Sequence, residues 1–251
     1  MVRILNYPVL VFVATFVLLW LAAWAGEKAS QRRRNLTDEM RSDFSVVLAA
    51  SLTLLGLIIG FSFSMATGRY DLRKTYEEAE ANAIGTEYVR ADLLAPAEAS
   101  QVRGLLKQYT DLRIQFYNIP RWDGLTEINQ QTAQIQNQLW IAASQSAMAQ
   151  PTPVRALAVA GMNDVLNSQG YTQAAWWNRI PVGAWSLMFA IAVACNVLLG
   201  YGARKMGWRL LMVLPLLVAI SFFLIADIDS PRGGVIRVHP QNLESLRAGL
   251  Q

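Results

Sequence analysis

The stretch GFSFSMATGRYDLRKTYEEAEANAIG, Gly60 to Gly85, starts as sequence fit for a lipid interior and within ten residues becomes a dense run of charge. It contains no proline, so nothing in it stops a helix from leaving a bilayer and continuing into water. Past Thr67, Arg73 stands four residues before Glu77 and Lys74 four before Glu78, the weaker of the two orientations for helical ion pairs. Leu72, Tyr76, Ala79 and Ala83 form a narrow apolar stripe suited to packing on another helix. The expectation is one rod, half in lipid and half in water.

Composition places the whole chain in the same class. Of 251 residues, 53% are hydrophobic and 16% charged, and the mean hydropathy is +0.25, outside the usual soluble range. The net charge of +4 comes from Lys and Arg beside apolar runs, not from a basic face interleaved with aromatics. Membrane lipid is therefore an expected partner and nucleic acid is not. The single cysteine, Cys195, lies in an apolar run and reads as a small core residue, so disulfides and Cys-based metal sites within one chain are excluded. His239 reads as a solvated tail residue, and no metal, cofactor or enzymatic role is expected. Glu77, Glu78, Glu80 and Glu87 share one helix without a His, Cys or Ser partner and read as a solvated face. Asp227 and Asp229 could contact a cation if a neighbouring segment supplied further oxygens. PRGG at Pro231 to Gly234 lacks a phosphate-loop frame and reads as a turn, and NLT at Asn35 matches a glycosylation acceptor only at chance level.

Four runs are long and apolar enough to span a hydrocarbon core: Tyr7 to Ala25, Phe44 to Thr67, Ile180 to Gly200 and Trp208 to Ile225. The first also resembles a signal peptide, with Arg3 ahead of it and AWAG at its end, but its apolar run is longer than a signal core and it is taken as a helix. Trp20, Trp24, Trp176, Trp177, Trp185 and Trp208 fall near the span ends, as interfacial indoles do. The expected organisation is two spans in residues 1–67, an extramembrane helical domain in 68–179, two spans in 180–226 and a polar tail in 227–251. Within the extramembrane region, Leu105, Tyr109, Leu112 and Phe116 recur at helical spacing, as do Leu125, Ile128, Ile135 and Leu139 with a gap at Thr132. Breakers at Pro96, Pro120 and the pair Pro151 and Pro153 leave a long first helix and three shorter ones, and Pro181 suits the first turn of the third span. Charge in the short loops, Lys28, Arg32, Arg33, Arg34 and Arg41, then Arg204, Lys205 and Arg209, points those loops to the cytoplasm. Arg69, Arg73 and Lys74 after the second span and Arg232 and Arg237 after the fourth point the other way, which leaves sidedness open.

In the lipid half of the second span, Thr53, Leu57, Phe61 and Ser64 share one face, with Gly56 and Gly60 beside it. Small residues at this spacing let two membrane helices approach closely; the same face, repeated from several subunits, could instead line a narrow pore. No span carries an ionisable residue at mid-membrane, which favours passive conduction over proton-coupled transport. Asn196 in the third span reads as an interhelical hydrogen bond.

GFSFSMATGRYD, the following EEAEANAIGTEYVRADLL and, after the last span, ADIDSPRGGVIRV together resemble the bestrophin-like membrane proteins. EANAIGT and RADLL carry the likeness most specifically, and it reaches from the second span to the tail. Gly60, Phe61, Arg69 and Tyr70 are similar, more distantly, to the pore-helix pattern of the bestrophin channels. The resemblance implies a homopentamer with four membrane helices per subunit and a central pore for small ions. By position the neck would be Thr53, Leu57 and Phe61, with Ser64 next on the same face. Arg69 and Arg73 near the pore mouth would enrich anions and Glu77, Glu78 and Glu80 further along would do the opposite, so the residues leave selectivity undecided and the slight lean to anions is what the resemblance implies. Thr53 departs from a bulky apolar neck, and the acid-rich calcium clasp of those channels is missing, with Asp227 and Asp229 the only acids in the ADIDSPRGGVIRV segment that directly follows the last span. Bestrophin channels hold their helical region in the cytoplasm. The chain is thus expected to be an all-α, multi-pass protein of a bacterial inner membrane and a passive, oligomeric ion channel; the alternative is a non-conducting scaffold or sensor that binds a partner or lipid.

Overall fold

A computed structural model describes residues 4–32, 38–119, 124–202 and 208–250. All regular structure among them is helical: α1 (Pro8–Arg32), α2 (Asp38–Arg90), α3 (Pro96–Asn118), α4 (Leu125–Ala149), α5 (Pro153–Trp177), α6 (Val182–Gly202), α7 (Trp208–Leu211), α8 (Val213–Asp229) and α9 (Gln241–Gly249), with 3-10 turns at Ile4–Asn6 and Ala91–Leu93. Four helical stretches are long and apolar enough to cross a membrane. α2 runs without interruption for 53 residues, through the change from apolar to charged sequence. The fourth span does break: Pro215 has no amide to donate to the carbonyl of Leu211, and the chain turns at Met212 between α7 and α8. Pro120, Asn35, Arg3, Arg33, Arg34, Arg204 and Lys205 lie outside the described residues, as do the side chains of Arg32, Arg41 and Trp208.

Contacts divide the chain into two compact units, Met1–Gly68 with Arg179–Ile236, and Arg69–Asn178 with Arg237–Gln251. In the first, α1 packs on α6 through glycine. A Cβ on Gly26 would stand 2.1 Å from the Val197 carbonyl oxygen, and one on Gly200 1.8 Å from that of Ala23, so the backbones meet only because neither residue has a side chain. α6 and α8 interlock through aromatics, with Phe222 edge-on to Phe189 at 4.9 Å and to Trp185 at 5.9 Å. Trp185 is fully buried there and is a core residue, not the interfacial indole its position suggested. Cys195 is buried as expected. Asn196 is buried too, but its amide donates to the Ala192 carbonyl one turn back in α6 (2.8 Å), so it bonds within its own helix and not across helices.

In the second unit the prolines act as starts. Pro96 and Pro153 occupy the first turns of α3 and α5, where no amide is needed, and the Thr152 hydroxyl accepts from the Arg155 amide to cap α5. Val102, Leu106, Tyr109 and Phe116 of α3, Ile128, Leu139 and Ala143 of α4, and Ala158, Met162 and Val165 of α5 make the core. Leu105 and Leu112 are only half-buried, so the inward face of α3 is turned from the apolar count, while Thr132, the gap in the α4 stripe, is 1% exposed. Trp176 is also core, 4.9 Å from Phe116 and 5.4 Å from Tyr117; Trp177 beside it is 72% exposed.

Candidate functional site

The lipid half of α2 is nearly bare. Only 6% of its most apolar stretch is buried, against 33% in α1 and 50% in the helix ending at Asp229. Leu55, Ser62 and Ala66 form the covered side, and at 100° per residue the expected neck face lies roughly opposite. On that face Leu57 is 53% and Phe61 62% exposed, and Thr53 and Ser64 are exposed as well. The Thr53 hydroxyl donates to the Ala49 carbonyl (2.9 Å), which internalises its polarity and leaves its methyl group outward. A Cβ on Gly56, Gly60 or Gly68 would meet nothing within 4 Å. Leu54, Phe63 and Met65 are exposed too, so the uncovered surface is wide enough for a lipid-facing side in addition to this stripe.

Beyond Gly68 the same helix is covered, and by a face that apolar counting misses. Arg73, Glu77, Glu80, Ile84, Glu87 and, in the 3-10 turn that follows, Ala91 stand at intervals of four and three, and none is more than 1% exposed. Leu72 and Ala79 of the expected apolar stripe are exposed, and Tyr76 and Ala83 are half-buried. Three of the four carboxylates read as a solvated face are therefore buried, Glu78 being the exposed one.

Each buried charge but one meets a specific group. The Arg73 guanidinium, expected at a pore mouth, donates to the Ala175 and Asn178 carbonyls (3.4 Å each) at the negative end of the α5 dipole. Half-buried Arg69 donates to the Asn178 side chain at 3.4 Å. Glu77 accepts the amides of Asn242 and Leu243 at 3.0 Å and the Asn242 side chain at 2.6 Å, so a carboxylate 165 residues away in sequence caps the N-terminus of α9. Glu80 accepts from Arg113 at 2.5 and 3.4 Å and from the Thr172 hydroxyl at 3.2 Å, and the guanidinium lies over the Phe116 ring at 4.4 Å. Glu87 is the exception, with neither oxygen hydrogen-bonded.

Asp227 and Asp229, considered for a cation, are buried and engaged. Asp227 accepts the amides of Val235 and Ile236, both at 2.8 Å, and folds the 230–236 loop back on the end of α8. Asp229 accepts the Ile180 amide at 3.1 Å and Arg179 at 3.2 Å. These bonds occupy all four carboxylate oxygens with protein donors.

The comparisons agree with this architecture. A bacterial bestrophin homologue from Klebsiella pneumoniae has a similar fold, with a TM-score of 0.66 at 13% identity and 96% of each chain covered. A single-substitution variant of that homologue matches with a TM-score of 0.63 at 12% identity over 97% of each chain. No curated protein matches the chain. The model of the bestrophin-like domain matches residues 10–243, nearly the whole length, and the chain belongs to the bestrophin-like family.

Proposed function

We propose that the chain is the subunit of a homo-oligomeric channel that conducts small ions passively, with the lipid half of α2 lining the path. The observation that carries this reading is the bareness of α2: an apolar helix with a glycine-flanked face that its own chain leaves open. Neighbouring copies would cover part of it and a water-filled axis the rest. Five copies is the number implied by the bestrophin resemblance. Thr53, Leu57 and Phe61 would form the neck and Ser64 the level next to it, and hydrophobic constrictions of this kind gate by dewetting. Arg69 is the better candidate for a cationic ring at the mouth, since the Arg73 guanidinium is buried and donates to carbonyls inside its own unit.

Ion flux from liposomes holding the purified protein, under separate chloride, sodium and potassium gradients, tests the reading. Flux is expected from wild type and a several-fold increase from Phe61→Ala, which empties the widest side chain of the neck. Tight liposomes containing correctly assembled protein, wild type and variant alike, would replace the channel with a membrane scaffold or sensor.

A further inference from the structure

Glu87 is the buried group that nothing in the second unit explains. It is fully buried, on the face of α2 that meets α5, and both carboxylate oxygens lack a hydrogen-bond donor. Its surroundings hold it closed. A Cβ on Gly161 of α5 would stand 2.0 Å from one Glu87 oxygen and 2.5 Å from an Arg90 nitrogen, so the α5 backbone rests directly on the two side chains. An ionised carboxylate without donors is the costliest group to bury, whereas its neutral form costs far less. Beside it, Asn82, Ala83, Thr86, Arg90, Gly161 and Asp164 line a cleft of about 200 Å³, large enough for waters that could deliver and remove a proton.

We propose that Glu87 is a proton-binding site and that the α2–α5 contact is tight only while this carboxyl is protonated. The charged groups facing it are Arg90, one turn along α2, and Asp164 on α5. On the adjoining 3-10 turn, Asp92 is paired with Arg103 at 2.6 Å. Burial pushes the Glu87 carboxyl up to about 8; Arg90 opposes the rise and Asp164 adds to it. The sign follows from linkage. A carboxyl that binds its proton more tightly in the closed form favours that form fully at low pH, and the advantage drains away as pH rises toward about 8. The proposal concerns one packed contact and stands whether or not α2 lines an ion path.

Hydrogen–deuterium exchange on the full-length protein in detergent, between pH 6 and 9 and corrected for the intrinsic pH dependence of exchange, tests it. Segments 80–90 and 155–168 of wild type are expected to lose protection by up to roughly tenfold per pH unit below about pH 8 and to level off above it. Glu87→Gln, neutral and nearly isosteric, should keep its protection across the range. Wild type and Glu87→Gln with the same pH profile would overturn the proposal. Asp164→Asn covers the case in which Glu87→Gln fails to fold: removal of that charge should move the plateau to lower pH, and an unmoved plateau would count equally against the site.

Discussion

The α1–α6 contact and the seam from Arg73 to Glu87 both join helices, by opposite means. At Gly26 and Gly200 two apolar helices touch backbone to backbone because side chains are absent. Along α2, large charged side chains are buried and matched with carbonyls, a helix N-terminus and a guanidinium. The difference follows from the solvent on the unfolded side of each equilibrium. Lipid offers no hydrophobic drive between helices, so close backbone approach and dispersion decide. In water a buried charge is tolerated only when its partner is built in, and the matched pair then specifies which helix packs where.

The largest break in this comparison comes from separating a matched pair. Glu80→Ala leaves Arg113 buried without its counter-charge and should cost about 3–5 kcal/mol in thermal or denaturant unfolding. Glu80→Leu combined with Arg113→Met should recover much of that loss; equal damage in the double variant would show that packing volume, not charge, is what the pair supplies. Next in size is Gly200→Ala, which sets a methyl against the Ala23 carbonyl and should destabilise by about 3 kcal/mol. Gly56→Ala, with open space around it, is the control: it should leave the melting temperature of the isolated subunit unchanged, and if the chain assembles as proposed, loss of that assembly on size exclusion would place a neighbouring copy at that face. Glu77→Gln has the smallest expected loss of stability apart from that control, about 1–2 kcal/mol, because a neutral amide oxygen still accepts an α9 amide but loses the attraction to the helix dipole. Limited proteolysis near Arg247 should accelerate in that variant while the spans keep their stability.

Much of the membrane part was legible from residue type alone. Twenty or so consecutive apolar residues are long enough to span a bilayer, and a proline-free passage from Gly60 to Gly85 permits one continuous helix. The break before α8 stayed hidden because Pro215 sits in an otherwise unbroken apolar run. In the second unit, Pro96 and Pro153, read as breakers, stand at the starts of α3 and α5, but the inward face of α2 did not show. An apolar count skips Arg73, Glu77, Glu80 and Glu87, although their four-three spacing would have exposed a buried seam to a search that ignored polarity. The residues proposed for the neck were visible as a face, and the structure adds that Thr53, Leu57, Phe61 and Ser64 are exposed on it.

By itself, then, the sequence determined the helical class, the four spans and the uninterrupted length of α2, because these depend on local hydropathy and on where proline is absent. Only the tertiary structure decided which charges are buried and why they can be. Glu77 depends on an α9 amide 165 positions away, Glu80 on Arg113 and Thr172, and Asp227 on the loop after it. The free energy of a buried charge is set by the partner that folding brings to it, and no local pattern contains that partner.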